Sequence, residues 1–164
     1  MSSPTNVPSL GVHDRETVGS HLQDALVELT DLALHGKQLH RSVVGPHFRS
    51  LHLQLDELID SWRELGDTVA ERAVAIGFYP DGQAAAVAAA GAIAPVEPGP
   101  VDDAEVVRGL THRLGAVSEV MRARMDRLGD LDAASQDVLT DVVRALEEQL
   151  WMVRAKLPRG GVSG

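Results

Sequence analysis

The feature that most constrains this chain is a run of metal-ligand side chains between His40 and Glu71. It reads His40-Arg41-Ser42-Val43-Val44-Gly45-Pro46-His47-Phe48, passes through Leu51-His52-Leu53-Gln54-Leu55-Asp56-Glu57, and closes on Asp67-Thr68-Val69-Ala70-Glu71-Arg72. His52 and Asp56 are four residues apart, as are Asp67 and Glu71, so on a helix each pair shares a face one turn apart. Imidazole with carboxylate and no thiolate suits a divalent transition metal such as iron better than calcium, and argues against structural zinc. If residues 47–76 form one helix, His52 and Glu71 lie about 28 Å apart and Asp56 and Asp67 about 16 Å, at ~1.5 Å rise per residue. One helix cannot bring all four to one ion. Both nested pairs, however, are centred between Ser61 and Trp62. Two copies crossing antiparallel there lay His52 and Asp56 of one beside Asp67 and Glu71 of the other, and the two-fold makes two equivalent sites. The spacing predicts an intersubunit metal site in an assembly that is a dimer at least.

The helices around this run follow from periodicity and breakers. Residues 1–13, rich in Ser, Pro and Gly, read as a flexible N-terminal arm, and Asp14 as the N-cap of a first helix ending near Ser42. Val18, Leu22, Leu26, Leu29, Ala33 and Leu39 give that helix its apolar stripe. Gly45-Pro46 breaks it, with Pro46 placed for the first turn of the next helix, over about 47–76. Leu51, Leu55, Leu58, Trp62, Leu65 and Val69 form the second stripe, and Gly77 with Pro80-Asp81-Gly82 stops it. Residues 83–101 read as a long crossover in which the run Ala84–Ala90 can form a short helix. Such a crossover joins parallel neighbours in a four-helix protein. Asp102 with Glu105 has the form of a capping box opening a third helix to about Leu128, and Asp132 or Ser135 caps a fourth to about Leu157. The expectation is an all-α, ferritin-like four-helix bundle over residues 14–157, with residues 158–164 as a flexible tail.

Composition narrows the function classes. The 164 residues suit one domain, and aromatics at only 3% leave Ala, Val and Leu to fill closely packed helices. There are no cysteines, so disulfide and thiolate chemistry are excluded. No run is apolar enough to span a membrane, and Met1 opens no signal-peptide pattern, which points to the cytoplasm. A net charge of −9 opposes non-specific DNA binding; residues 1–14 hold no Lys or Arg, and the C-terminal end offers only Arg154, Lys156 and Arg159.

The same residues resemble a known family. His40, the twelve-residue step to His52 with Gly45-Pro46-His47-Phe48 between, Leu51-His52-x-x-x-Asp56-Glu57, and Asp67-x-x-x-Glu71-Arg72 are similar to the Dps mini-ferritins, and Leu150-Trp151-Met152 is typical of their C-terminal end. The resemblance implies a hollow homo-dodecamer that oxidises Fe(II), preferentially with hydrogen peroxide, at di-iron ferroxidase sites and stores Fe(III) mineral, protecting DNA. It implies that His40, His52 and Asp56 come from one subunit and Asp67 and Glu71 from its partner, with Asp56 bridging. It also implies that Asp130, Asp132 and Asp137 line an iron entry pore. The chain departs from the family in two places: Arg41-Ser42 stands where Trp-Asn usually follows the first histidine, and a Lys-rich arm is missing, which tells against DNA binding as part of the function.

Each residue also has a plainer reading. Asp67 and Glu71 suit a solvated helix face with Arg63 and Arg72 as partners. Asp132 suits a helix cap. Glu57 and Asp60 suit either a solvated face or mineral nucleation inside a cage. His13, His21, His35 and His112 read as surface histidines, and Trp62 and Trp151 as packing residues, Trp62 near the two-fold. Two other functions compete: a nucleoid-compacting DNA-binding protein with weak or no ferroxidase activity, and a helical interaction module without metal.

Overall fold

The structure, a computed structural model, describes residues 10–158, so residues 1–9 of the expected arm and 159–164 of the expected tail lie outside it. Helix α1 spans Val12–Ser42 and buries Val18, Leu22, Leu26, Leu29, Ala33 and Leu39. It starts earlier than Asp14: Gly11 is the N-cap and accepts the Arg15 N–H at 2.9 Å. Asp14 lies in the first turn instead, where a carboxylate complements the positive end of the helix dipole. Leu10 packs on the core ahead of it, shortening the arm.

After α1 a two-residue strand, β1 (Val43–Val44), leads through a turn at Gly45 and Pro46 into α2 (Phe48–Ala75), capped by His47 rather than opened by Pro46. At the far end of α2, Gly77 has φ 85°, a conformation L side chains avoid. Its N–H bonds Val74 C=O at 2.9 Å while the Phe78 N–H bonds Ala73 C=O at 2.9 Å, closing the end of the helix on itself.

The crossover then climbs back beside α1. Phe78 fills the space over Gly19, where a Cβ would fall 2.2 Å from its ring. Gln23 Nε2 donates to the Asp81 carbonyl at 2.7 Å, and helix α3 (Ala84–Ala90) buries Val87. The buried Asp31 carboxylate accepts the Ile93 N–H at 3.4 Å, and Arg113 Nη2 donates to the Ala94 carbonyl at 2.9 Å. Strand β2 (Val101–Asp102) pairs parallel with β1, Val43 opposite Val101. This bridge, too short for any periodicity to announce, ties the crossover to the end of α1.

Helix α4 (Asp103–Leu128) begins beside the start of α2: the His47 N–H donates to Asp103 Oδ2 at 2.8 Å. Helices α2 and α4 therefore run parallel, as the long crossover requires. The capping box does not form. Asp102 is the N-cap but its side chain makes no capping bond, and Glu105 pairs with Arg108. Helix α5 (Ala133–Arg154) is capped as expected, Asp132 accepting the Ser135 N–H at 3.2 Å.

The core is mostly Leu and Val around one large aromatic. Trp62 is fully buried inside the subunit, a packing residue as expected. Its Nε1–H donates to Gln149 Oε1 at 2.7 Å, and Gln149 Nε2 donates to Ser61 Oγ at 3.0 Å, so this buried amide is satisfied at both ends. Trp151 is 62% exposed. His35 is not a free surface histidine either: its Nδ1 lies 3.2 Å from the Asp31 carboxylate.

Candidate metal centre

Packing α2 antiparallel on α1 brings the first three expected ligands together. His40 ends α1, and His52 and Asp56 lie on consecutive turns of α2 facing it. One ligand atom from each lies within 4.8 Å of the others, and among the described residues no other group of three His, Cys, Asp or Glu does this. The rings of His40 and His52 stack, centroids 3.7 Å apart, and Phe48 lies against His52 at 5.0 Å.

The hydrogen bonds decide which ring atoms are free. The His40 carbonyl lies 3.0 Å from His52 Nδ1 and can only accept, so His52 carries its proton there and its Nε2 keeps a lone pair. A histidine oriented through one nitrogen by a backbone carbonyl, with the other nitrogen open, is the usual arrangement of a metal ligand. His40 Nε2 donates to Asp56 Oδ2 at 2.9 Å, and its Nδ1 is buried with no partner. The other Asp56 oxygen, Oδ1, accepts Lys37 Nζ at 2.6 Å. The hydrogen bond from Lys37, opposed by some desolvation and aided by His40, holds the Asp56 carboxyl below its ordinary range, ready as an anionic ligand. An orphaned imidazole nitrogen, an oriented imidazole and an ionised carboxylate in one cluster fit a divalent cation.

The other expected residues stand apart. Asp67 and Glu71 are exposed farther along α2 and join no ligand cluster among the described residues; Asp67 edges a shallow pocket of about 150 Å³ with Leu34 and Gly66. Glu57 and Asp60 are exposed on α2, Asp60 3.9 Å from Arg63. Asp130 and Asp137 are exposed near the α4–α5 turn. Asp132 is turned inward, accepting Arg72 Nη2 at 2.7 Å as well as capping α5. Arg41 is exposed, and among the described residues it forms no ion pair. Lys37 is the site residue the sequence reading missed. A lysine three residues before His40 on the same face was the available signal.

A bundle of four long helices with a long crossover, holding a cluster of histidine and carboxylate side chains between its first two helices, defines the ferritin-like class. The ferritin-like domain family matches residues 20–160. A DNA protection during starvation protein of Mycolicibacterium smegmatis is 31% identical over 163 residues, covering 94% of this chain and 85% of that protein. DNA protection during starvation protein 2 of Deinococcus radiodurans is 30% identical over 153 residues, and the chain spans only 64% of that longer relative. Among solved structures, Mycobacterium smegmatis Dps superposes with a TM-score of 0.91 at 31% identity, covering 98% of this chain and 91% of that one. DpsA14 from Streptomyces coelicolor gives 0.90 at 32%, covering 98% and 96%. The chain belongs to the Dps family of ferritin-like proteins. Ferritin-like proteins bind iron, and no helix among the described residues is long and apolar enough to cross a membrane.

Proposed function

We propose that the chain is a ferroxidase and iron store: it oxidises Fe(II), preferentially with hydrogen peroxide, at di-iron sites between subunits of a dodecameric cage, and so protects DNA from oxidative damage. The observation that carries this reading is the convergence of His40, His52 and Asp56 with the His52 lone pair left open. His52 and Asp56 bind Fe(II) as substrate, His40 completes the half-site, and the partner subunit's Asp67 and the partner subunit's Glu71 supply the remaining oxygens across a two-fold. Peroxide takes two electrons, one from each Fe(II), and with two protons leaves as water, so no one-electron step releases hydroxyl radical. The carboxylates favour the Fe(III) product as hard ligands for a hard cation. Asp130 and Asp137 are the exposed carboxylates available to an entry pore, Asp132 being engaged with Arg72, and Glu57 and Asp60 are exposed carboxylates available for nucleation. The relatives' names speak of DNA protection; the acidity of this chain favours protection by removing Fe(II) over coating the duplex.

The test is anaerobic Fe(II) loading followed by peroxide, reading Fe(III) absorbance, beside a His52→Ala with Asp56→Ala variant shown by size exclusion to assemble normally. Oxidation in the wild type that falls at least about tenfold in the variant is expected, given the loss of two ligands. Equal rates would move the ferroxidase chemistry elsewhere.

A further inference from the structure

We propose that Asp103 is a positioning residue of the metal centre: its carboxylate fixes the turn between α1 and α2, and through that turn the mutual placement of His40 and His52. The proposal rests on the metal reading of His40, His52 and Asp56. The two histidines flank the turn. The His40 carbonyl accepts His52 Nδ1 at 3.0 Å and the rings stack at 3.7 Å, so whatever sets the path of residues 43–47 sets that contact. The parallel register of β1 and β2, with Val44 opposite Asp102, delivers Asp103 beside Gly45. Asp103 Oδ2 accepts the His47 N–H at 2.8 Å, and among the described residues that N–H has no other acceptor. Gly45 has φ 120°, and a Cβ on it would fall 2.8 Å from the same Oδ2, so the turn closes on this carboxylate at two residues. The other side of His47 is tied as well: its carbonyl accepts the Leu51 N–H at 3.1 Å and Ser50 Oγ at 3.0 Å, opening α2.

The bond to His47 directs more than it stabilises. It is exposed, so on its loss the N–H turns to water at small cost to folding. What goes with it is direction. His47 caps α2, and Phe48 after it lies against His52 at 5.0 Å. A turn of the His47 peptide plane therefore rotates the start of α2 and carries the His52 ring off the His40 carbonyl. A histidine ligand that loses its orienting partner binds metal about 10–100-fold more weakly. Among the described residues Asp103 joins no ligand cluster, so it acts on the site only through the turn.

The probe is Co(II) alone, titrated anaerobically at fixed pH into the assembled protein and followed by calorimetry and by the visible ligand-field bands. Wild type, Asp103→Ala and Asp103→Asn are compared, with Glu105→Ala as a charge control on the same turn of α4 and His52→Ala as the site control. Asp103→Ala is expected to bind about tenfold more weakly, with altered bands, while melting within a few degrees of wild type. Asp103→Asn keeps an acceptor for the His47 N–H, so it and Glu105→Ala are expected to bind as wild type does. If Asp103→Ala does not assemble by size exclusion, Asp103→Ser takes its place, since it keeps a short polar residue at the start of α4 and withdraws the acceptor from His47. Equal binding in Asp103→Ala and wild type, with His52→Ala abolishing it, would remove the role of Asp103 and leave the metal site standing. A loss in Asp103→Asn as large as in Asp103→Ala would make the effect one of charge and overturn positioning. If His52→Ala binds Co(II) as wild type does, the metal reading fails and the role of Asp103 fails with it.

Discussion

At the scale of single residues, charged groups in this chain act in pairs whose partners decide their chemistry. Asp132 shows this away from the metal site. Burial by itself would raise its carboxyl, but hydrogen bonds from Ser135 and the Arg72 guanidinium outweigh burial and hold it below its ordinary value. A carboxyl depressed in the folded state contributes stability that is fully present above its unfolded value, about 3.9, and is lost as pH falls through its folded value. Asp132→Asn keeps a capping oxygen and removes the charge, so it is expected to cost on the order of 1 kcal/mol at neutral pH. The gap from wild type in thermal melts should hold from pH 7 to about 5 and close below about 4. A gap that persists at the acid end would mean the charge of Asp132 contributes nothing to folding. The same pairing explains what the sequence could and could not show. His52 and Asp56 were paired by their four-residue spacing on one helix, and His40 was added to them by the family resemblance. Lys37 was not legible, because a lysine on a helix looks solvated until packing brings a carboxylate nineteen residues away beside it. Asp102 and Glu105 had the spacing of a capping box, yet Arg108 claims the glutamate.

At the scale of elements, the helices were legible, the short one at Ala84–Ala90 within the crossover included, and the path of the crossover was not. Apolar stripes fix α1 and α2 because each must bury one face, and capping residues and breakers mark α4 and α5. The path of residues 78–101 depends on contacts distant in sequence: Phe78 over Gly19, Asp81 with Gln23, Ile93 with Asp31, and Val101 with Val43. Gly19 is the first of these anchors, and any side chain there must displace Phe78. Gly19→Ala is expected to cost about 1–3 kcal/mol by overpacking, even though alanine is the better helix former. Hydrogen exchange should show protection lost first in residues 78–93, with the α4–α5 hairpin unchanged. Equal protection along the crossover would show that Phe78 repacks freely and anchors nothing.

At the scale of the whole molecule, the unexplained surfaces point outward from the single chain. Trp151 and Met152 are 62% and 40% exposed on the last turns of α5, and Asp67 and Glu71 lie exposed on α2 without a cluster among the described residues. The intersubunit proposal can be tested by mixing. Co-assembled with Asp67→Ala/Glu71→Ala, the His52→Ala/Asp56→Ala variant should recover activity that neither has alone. Each mixed two-fold pair holds one intact site and one doubly dead site, so random mixing restores about a quarter of the wild-type sites. No recovery from a well-mixed assembly would place all five ligands within one subunit or outside the centre altogether. Both the two-fold argument and the dodecamer came from sequence, the first from the midpoint shared by the nested pairs and the second from resemblance; a single chain cannot display either. The division of ligands has one more consequence. Among the described residues three of the five expected side chains converge and two do not. If subunits complete the site for each other, cargo and neighbour are thermodynamically linked: whatever free energy association lends to cation binding, the cation returns to association. Iron then acts as a cement as well as a substrate, holding together the wall that encloses it.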